Sequence, residues 1–283
     1  MVKKPKLVPI VLAALLIPAA VRTLAFQSGP GPAAETLRGT VVYVYDGDTI
    51  RVRLNDGGGD RKVRLIGVDC PELDDDREAV RFLAFAARRF THTRLIQQRV
   101  GLIPGPENED AYGRLLAFVE MEDGTIFNET LVREGFAWAY LKFPFDESLR
   151  KRLKAAESEA RRAGRGLWRK EPYPVIEPGE AGSRMGEIVT VRFRCARSSD
   201  RSRLRILAAE GGGFEAVIPA AVLKGLPGSL EFKGRTLEAT GLVEEFRGRP
   251  QIMIGVPSQL RDASIENRGL DSAPAIVYNV IHK

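Results

Sequence analysis

From Gly39 the chain shows strand-like patterning. Thr40 to Tyr45 is β-branched and aromatic, and Asp46-Gly47 closes it as a turn. Between Thr49 and Leu54, Ile50, Val52 and Leu54 alternate with Arg51 and Arg53, which predicts a half-buried strand. A Gly-rich turn over Asn55 to Asp60 follows, and Val63, Leu65 and Ile66 start a strand that ends near Pro71. Strands this close in series predict an antiparallel meander. Asp74 to Thr93 predicts a helix, with Ala79, Phe82, Leu83, Ala86 and Phe90 on one face and three acids at its start. Leu115 to Glu120 reads as a strand, with Asp123-Gly124 as a hairpin turn. Asn128 is the expected cap of a short helix through Glu134, stopped by Gly135. Asp146 is the expected cap of a third helix, to about Ala163. Strands and helices without βα alternation indicate an α+β fold, a small barrel with helices packed on it.

The texture changes after residue 170. Residues 171–184 are rich in Pro and Gly and read as a linker. Val189, Val191, Phe193 and Cys195 then alternate with Thr190, Arg192 and Arg194. Further strands are expected at Leu204–Leu207, Phe214–Ile218, Thr236–Val243 and Gln251–Ile254, with Arg247-Gly248-Arg249 as a hairpin tip. Five short strands over 185–262 fit a second, all-β, OB-like barrel. Residues 263–283 show no usable pattern.

The N-terminus has its own logic. Lys3, Lys4 and Lys6 precede an uncharged apolar run from Leu7 to Val21, and Thr23-Leu24-Ala25 offers a small-residue cleavage site. Residues 1–25 are therefore expected to be a signal peptide or a membrane anchor, with 26–37 as a spacer, and the protein to be exported: secreted, periplasmic or envelope-anchored. This segment also accounts for most of the formal charge of +6, because without it 39 basic residues stand against 37 acidic ones. Polyanion binding must then rest on local clusters. Two cysteines and two histidines exclude a disulfide scaffold, a four-cysteine zinc site and a histidine-centred site. Chemistry has to come from carboxylates, arginines, lysines or an oxygen-held metal.

Four segments carry that chemistry. Asp46-Gly47-Asp48-Thr49 displays two carboxylates in a turn. Asp48 and Asp69 meet if their strands pair, and two close carboxylates favour a hard cation such as Ca²⁺ or Mg²⁺ between them; a plain tight turn is the alternative. In the second, Arg64 and Glu72 flank Asp69; in the third, Asp110-Ala111-Tyr112-Gly113-Arg114, Arg114 follows Gly113. Arginine suits bidentate phosphate binding, a carboxylate suits proton removal from water, and surface ion pairing is the alternative for both. The fourth segment, Arg150 to Lys170, holds nine Lys/Arg against two Glu, either a phosphate grip or a solvated helix face. In the second barrel Arg247 and Arg249, with Phe246 beside them, are candidates to grip nucleic acid by charge and stacking; such barrels also host many other partners, and an envelope tether is the alternative role. Cys195 fits a buried core position, and His92 a structural or surface one.

Asp46-Gly47-Asp48-Thr49, Arg64-Leu65 through Asp69-Cys70-Pro71-Glu72, Tyr112-Gly113-Arg114, Asn128 to Gly135 and the terminal Gly166-Leu167-Trp168 together resemble the thermonuclease family of staphylococcal-nuclease-like domains, over about residues 38–170. The resemblance implies a five-stranded OB-like β-barrel with three helices, and Ca²⁺-dependent hydrolysis of DNA and/or RNA. It implies that Asp48 and Asp69 bind Ca²⁺ by side chain and Cys70 by its carbonyl, and that Arg64, Glu72 and Arg114 are catalytic. Tyr112 and Phe143 are the implied nucleotide contacts. Cys70 stands where threonine is common, a change a carbonyl ligand tolerates. Ala111 replaces an often basic residue, and Leu141 and Phe143 occupy a stretch where the family uses tyrosines. The expected protein is an exported Ca²⁺-dependent nuclease, whose N-terminus gives possible membrane anchoring; no protein partner is predicted. Its rivals are a non-catalytic nucleic-acid binder and an envelope scaffold built from two OB-like barrels.

Overall fold

The computed structural model describes residues 36–226 and 231–263. The segment expected as a signal or anchor at 1–25 and the tail beyond residue 263 lie outside the described residues. Among those described, no helix is long and apolar enough to cross a membrane.

Strands β1 (Leu37–Val44), β2 (Thr49–Leu54) and β3 (Asp60–Leu65) form the antiparallel meander, in the registers Val41↔Val52 and Ile50↔Val63. Their alternation puts Val41, Ile50, Val52, Val63 and Leu65 in the core, each fully buried. A short β4 (Val68–Asp69) follows.

Helix α1 (Glu78–Leu95) starts four residues after the expected Asp74. The Asp75 carboxylate accepts hydrogen bonds from the Arg77 backbone N (2.8 Å) and Nε (2.8 Å), and Arg77 is extended. The acids thus shape a turn before the helix, as short polar side chains that compete with helical hydrogen bonds do.

The sequence pattern missed β5 (Arg99–Glu109), because Pro104, Gly105 and Pro106 interrupt its alternation. Its pairing with β6 (Leu115–Glu120) is broken between Pro104 and Glu109. β6 runs parallel to β3 and antiparallel to β5, and β5 pairs with β1 to close a five-stranded barrel.

Helix α2 (Phe127–Arg133) has Ile126 at its N-cap, not Asn128. Asn128 is fully buried instead: its Oδ1 accepts from Val119 N (2.9 Å) and its Nδ2 donates to Ile66 O (2.8 Å). This amide satisfies backbone groups inside the barrel wall that would otherwise be costly. β7 (Trp138–Ala139) pairs with β4, and α3 (Glu147–Ala163) is capped by Asp146, which accepts from Ser148 N (2.9 Å) and Leu149 N (3.0 Å).

The segment expected as a linker carries β8 (Val175–Ile176), a parallel edge partner of β9 (Ile188–Arg201). Then come β10 (Leu204–Ala209), β11 (Glu215–Pro219), α4 (Ala220–Leu223), β12 (Thr236–Phe246), β13 (Arg249–Met253) and β14 (Leu260–Asp262). The strands run β9-β10-β11-β13-β12 and return to β9, closing a second five-stranded barrel with β8 and β14 added at its edges. Both barrels share one connectivity: the third and fifth strands pair parallel, and all other wall pairs are antiparallel.

The barrels are not joined by a free tether. Phe82 and Leu83 of α1 cluster with Leu167, Trp168 and Val256. Gly255 lies so close to α1 that a Cβ there would sit 2.2 Å from the Phe85 ring. Glu78 Oε1 accepts from Ser258 N at 2.8 Å.

Candidate active site

Asp48 sits where three elements meet. Its turn, between β1 and β2, is tightened by Asp48 N donating to Asp46 Oδ1 at 3.0 Å and by Tyr45 N donating to Thr49 O at 2.9 Å. Leu65 N donates to Asp48 O at 2.8 Å, tying the turn to the end of β3. Helix α1 clamps it from behind, where Thr91 Oγ1 donates to Gly47 O at 2.7 Å. A Cβ on Gly47 would lie 2.5 Å from Cys70 Sγ and 2.9 Å from the Ala87 Cβ, so this approach needs glycine. Asp48 is consequently buried, and its Oδ2 accepts from Cys70 N at 2.8 Å.

Arg64, the residue opposite Thr49 in the ladder, spans the carboxylates. Its Nη2 lies 3.2 Å from Asp48 Oδ2 and 3.1 Å from Asp69 Oδ1. Its Nη1 donates to the carbonyls of Leu65 (2.6 Å) and Val68 (3.0 Å). One planar fork therefore serves four acceptors, which suits a guanidinium. Asp69 is set by β4, where it pairs with Trp138 of β7.

The electrostatics identify an acidic group. Burial pushes the Asp48 carboxyl up to about 7, against the lowering by Arg64, with the charges of Asp46 and Asp69 adding to the rise. Asp69 is raised by burial and held back by Arg64. Glu72 is raised by burial, then by Asp46, Asp69 and Asp74, with Arg64 opposing. These carboxylates share one field, which a cation would relieve. The Cys70 thiol, fully enclosed, is raised well above its usual value by burial and then by Asp48, which makes it an inert packing group.

The donors that fit a metal are all oxygen: the carboxylates of Asp48 and Asp69 and the carbonyl of Cys70. That set matches a hard divalent cation. Among the described residues no three His, Cys, Asp or Glu side chains gather into a metal-holding group, so two carboxylates and a backbone oxygen are the complement to test.

Beside this group opens a cleft of about 400 Å³, lined by Arg64, Tyr112, Arg114, Tyr140 and Phe143 among others. β3 and β6 are parallel with Arg64 opposite Leu116, so Arg64 and Arg114 project from the same face of that pair. Arg114 Nε donates to Asp110 Oδ2 at 2.7 Å, and its guanidinium stands 5.4 Å from the Tyr112 ring. Tyr112 (84% exposed) and Phe143 (57%) are open for stacking. Asp48, Asp69, Cys70 and Glu72 lie outside the cleft lining; Asp48 and Asp69 adjoin it through Arg64.

Three residues of this site had no role assigned from sequence, although Asp46 and Asp110 stood inside segments that were singled out. Asp46 shares the acidic field with Asp48 and Asp69. Tyr140 lines the cleft and meets Phe143 edge-on at 5.9 Å. Asp110 opens the segment that ends in Arg114, and it orients that arginine. Arg247 and Arg249 belong to the second barrel and play no part here. Part of the basic stretch from Arg150 is paired: Arg152 with Glu129, Arg161 with Glu157 and Arg165 with Glu159, while Arg150 donates to the carbonyls of Leu141 and Phe143.

Comparison with known proteins bears on the first barrel. The model of the family "Staphylococcal nuclease homologue" matches residues 62–170. The chain is 37% identical over 162 residues to a thermonuclease of Staphylococcus intermedius, covering 54% of this chain and 94% of that protein. It is 34% identical over 128 residues to a thermonuclease of Staphylococcus hyicus, covering 45% and 73% respectively. It is 32% identical over 158 residues to the endonuclease YhcR of Bacillus subtilis, covering 53% of this chain and 13% of that protein. The fold and these relatives define a phosphodiester-hydrolysing nuclease. The chain belongs to the staphylococcal nuclease homologue family.

Proposed function

We propose that this chain is an exported, Ca²⁺-dependent nuclease that hydrolyses DNA and/or RNA in the cleft between Arg64 and Phe143. The observation that carries the reading is the Arg64 fork held across Asp48 and Asp69 at the edge of a cleft that also holds Arg114. Asp48, Asp69 and the Cys70 carbonyl would hold Ca²⁺, which when bound supplies positive charge to the scissile phosphate.

The chain's own residues do the rest. Tyr112, Tyr140 and Phe143 hold the nucleotide by stacking. Arg64 and Arg114 donate to the non-bridging oxygens, where charge builds in the transition state. Glu72 orients the attacking water and takes its proton as the new P–O bond forms. The opposite P–O bond breaks, and the departing oxygen takes a proton from solvent. Export rests on Lys3, Lys4 and Lys6 ahead of the apolar Leu7–Val21 run and on the Thr23-Leu24-Ala25 site for cleavage after Ala25.

The test is purified protein on plasmid DNA and on single-stranded RNA, with Ca²⁺ or with a chelator. Cleavage only with Ca²⁺, lost in Asp48→Ala together with calorimetric Ca²⁺ binding, is the expected result. Unchanged Ca²⁺ affinity in Asp48→Ala would overturn the metal assignment. No cleavage in either medium would leave a binding protein. For export, the mature N-terminus recovered from the exported fraction should lie at or near Phe26; Met1 on a soluble intracellular product would exclude it.

A further inference from the structure

The second barrel lies beyond the matched domain, and its outer wall carries a groove of about 310 Å³. Strand register builds it. Ser199 of β9, Ile206 of β10, Val217 of β11 and Met253 of β13 stand side by side in one row across the wall. Arg197, Ala208, Glu215 and Gln251 form the row on one side, and Arg201 and Leu204 begin the row on the other. The β12–β13 hairpin adds Phe246, Arg247 and Arg249 at the rim, on a two-residue turn with positive φ at Arg247 (52°) and Gly248 (76°). The groove thus has an apolar floor and a rim of four arginines.

Two features set this wall apart from the paired arginines of α3. Among the described residues Arg197, Arg201 and Arg247 have no carboxylate partner, and Arg249 has one, Glu215, at 3.1 Å. Phe246 is 55% exposed beside Arg247, whose guanidinium stands 5.3 Å from the ring. Arginines 197 and 201 lie about 13 Å apart along β9, so they would meet different phosphates of one strand. Free guanidinium groups with an open aromatic ring are the pairing that holds a nucleotide chain without reading its sequence. A duplex hides its base faces and offers nothing for Phe246 to stack on.

We propose that this groove binds single-stranded nucleic acid and holds the polymer outside the first-barrel cleft. Binding there deepens the nuclease reading, on which it rests for the source of the strand. It also gives the second barrel a role in substrate capture, because a strand held at one site meets the other at raised effective concentration.

The experiment uses the full chain in chelator, where hydrolysis is expected to stop, and a fluorescein-labelled oligothymidylate of roughly 16 nucleotides, the upper span for one such barrel. Anisotropy gives Kd. Phe246→Ala should weaken binding roughly tenfold, the size of one lost base stack. The Arg197→Ala/Arg201→Ala double variant should weaken it further and flatten the salt dependence by about 1.4 in log Kd per log salt. Glu215→Gln should tighten binding, a gain that misfolding cannot produce. Turnover of a dinucleotide with Ca²⁺ should be the same in all. Equal Kd in all variants would overturn the groove, as would equal competition by a duplex or a fall in dinucleotide turnover. Wild-type protein that binds in chelator yet never cuts would overturn the catalytic reading and leave the groove standing.

Discussion

Arg89 of α1 donates to Glu244 of β12 through both Nε (2.9 Å) and Nη2 (2.6 Å), one carboxylate oxygen taking both bonds. The other oxygen accepts from Gln251 Nε2 at 2.9 Å, and the Glu244 side chain is 2% exposed. A first-barrel helix and a second-barrel hairpin are thereby locked by a buried, fully bonded charge. The same helix clamps the Asp48 turn through Thr91. The second barrel therefore supports the wall on which the candidate site is built.

Removing one member of that pair should be costly. Glu244→Ala leaves Arg89 without its counter-charge and is expected to destabilise the full chain by about 3–5 kcal/mol. Chemical denaturation checks it. The double variant Arg89→Leu/Glu244→Leu should recover much of the loss, since an apolar pair carries no charge desolvation.

His92 gives the interface a pH dependence. Its pKa is lowered from 6.5 by burial and by Arg89 and Arg88, with Glu244 opposing. A lowered folded-state pKa means that the neutral form is favoured in the folded chain. Its contribution is present above pH 6.5 and is lost as pH falls through the folded value. The Tm of the wild-type chain should drop between pH 7 and pH 5 by more than that of His92→Gln. Parallel profiles for the two proteins would exclude it.

Truncation after Glu177 tests how independent the barrels are. The cut removes Val256 and the Gly255 contact, and it exposes Phe82, Leu83 and Trp168. With roughly 1.5–3 kcal/mol for each large apolar side chain uncovered, residues 36–177 should melt well below the full chain. Gly255→Ala should move in the same direction through the Phe85 clash. A fragment as stable as the full chain would mean that the interface contributes nothing.

Arg64→Lys probes the fork. An ammonium keeps the charge but cannot serve Asp48, Asp69 and two carbonyls in one plane. Turnover should fall by about 10²–10³, the usual loss when one transition-state donor is removed. Ca²⁺ affinity measured by calorimetry should stay within a few-fold. Wild-type turnover in Arg64→Lys would show that charge alone suffices at this position.

Much of this was legible in the chain. Period-two alternation at Ile50–Leu54 marked β2, and Asp146 marked the start of α3, because burial on one face and an unsatisfied helix end are local demands on residue type. The strings around Asp48, Arg64, Asp69 and Arg114 were visible for the same reason: turns and strand ends fix them within a few residues. What the chain concealed depends on distant partners. β5 is a strand despite Pro104 and Pro106 because β1 and β6 supply its ladder. Asn128 looked like a cap and became a buried strut, because Val119 and Ile66 needed its amide. The expected linker became β8 once β9 offered an edge. The row of groove residues from Ser199 to Met253 exists only through register across four strands. Local sequence sets what each segment prefers. Pairing and packing between segments far apart in the chain decide which preference is kept, since only there are buried polar groups satisfied and apolar faces covered.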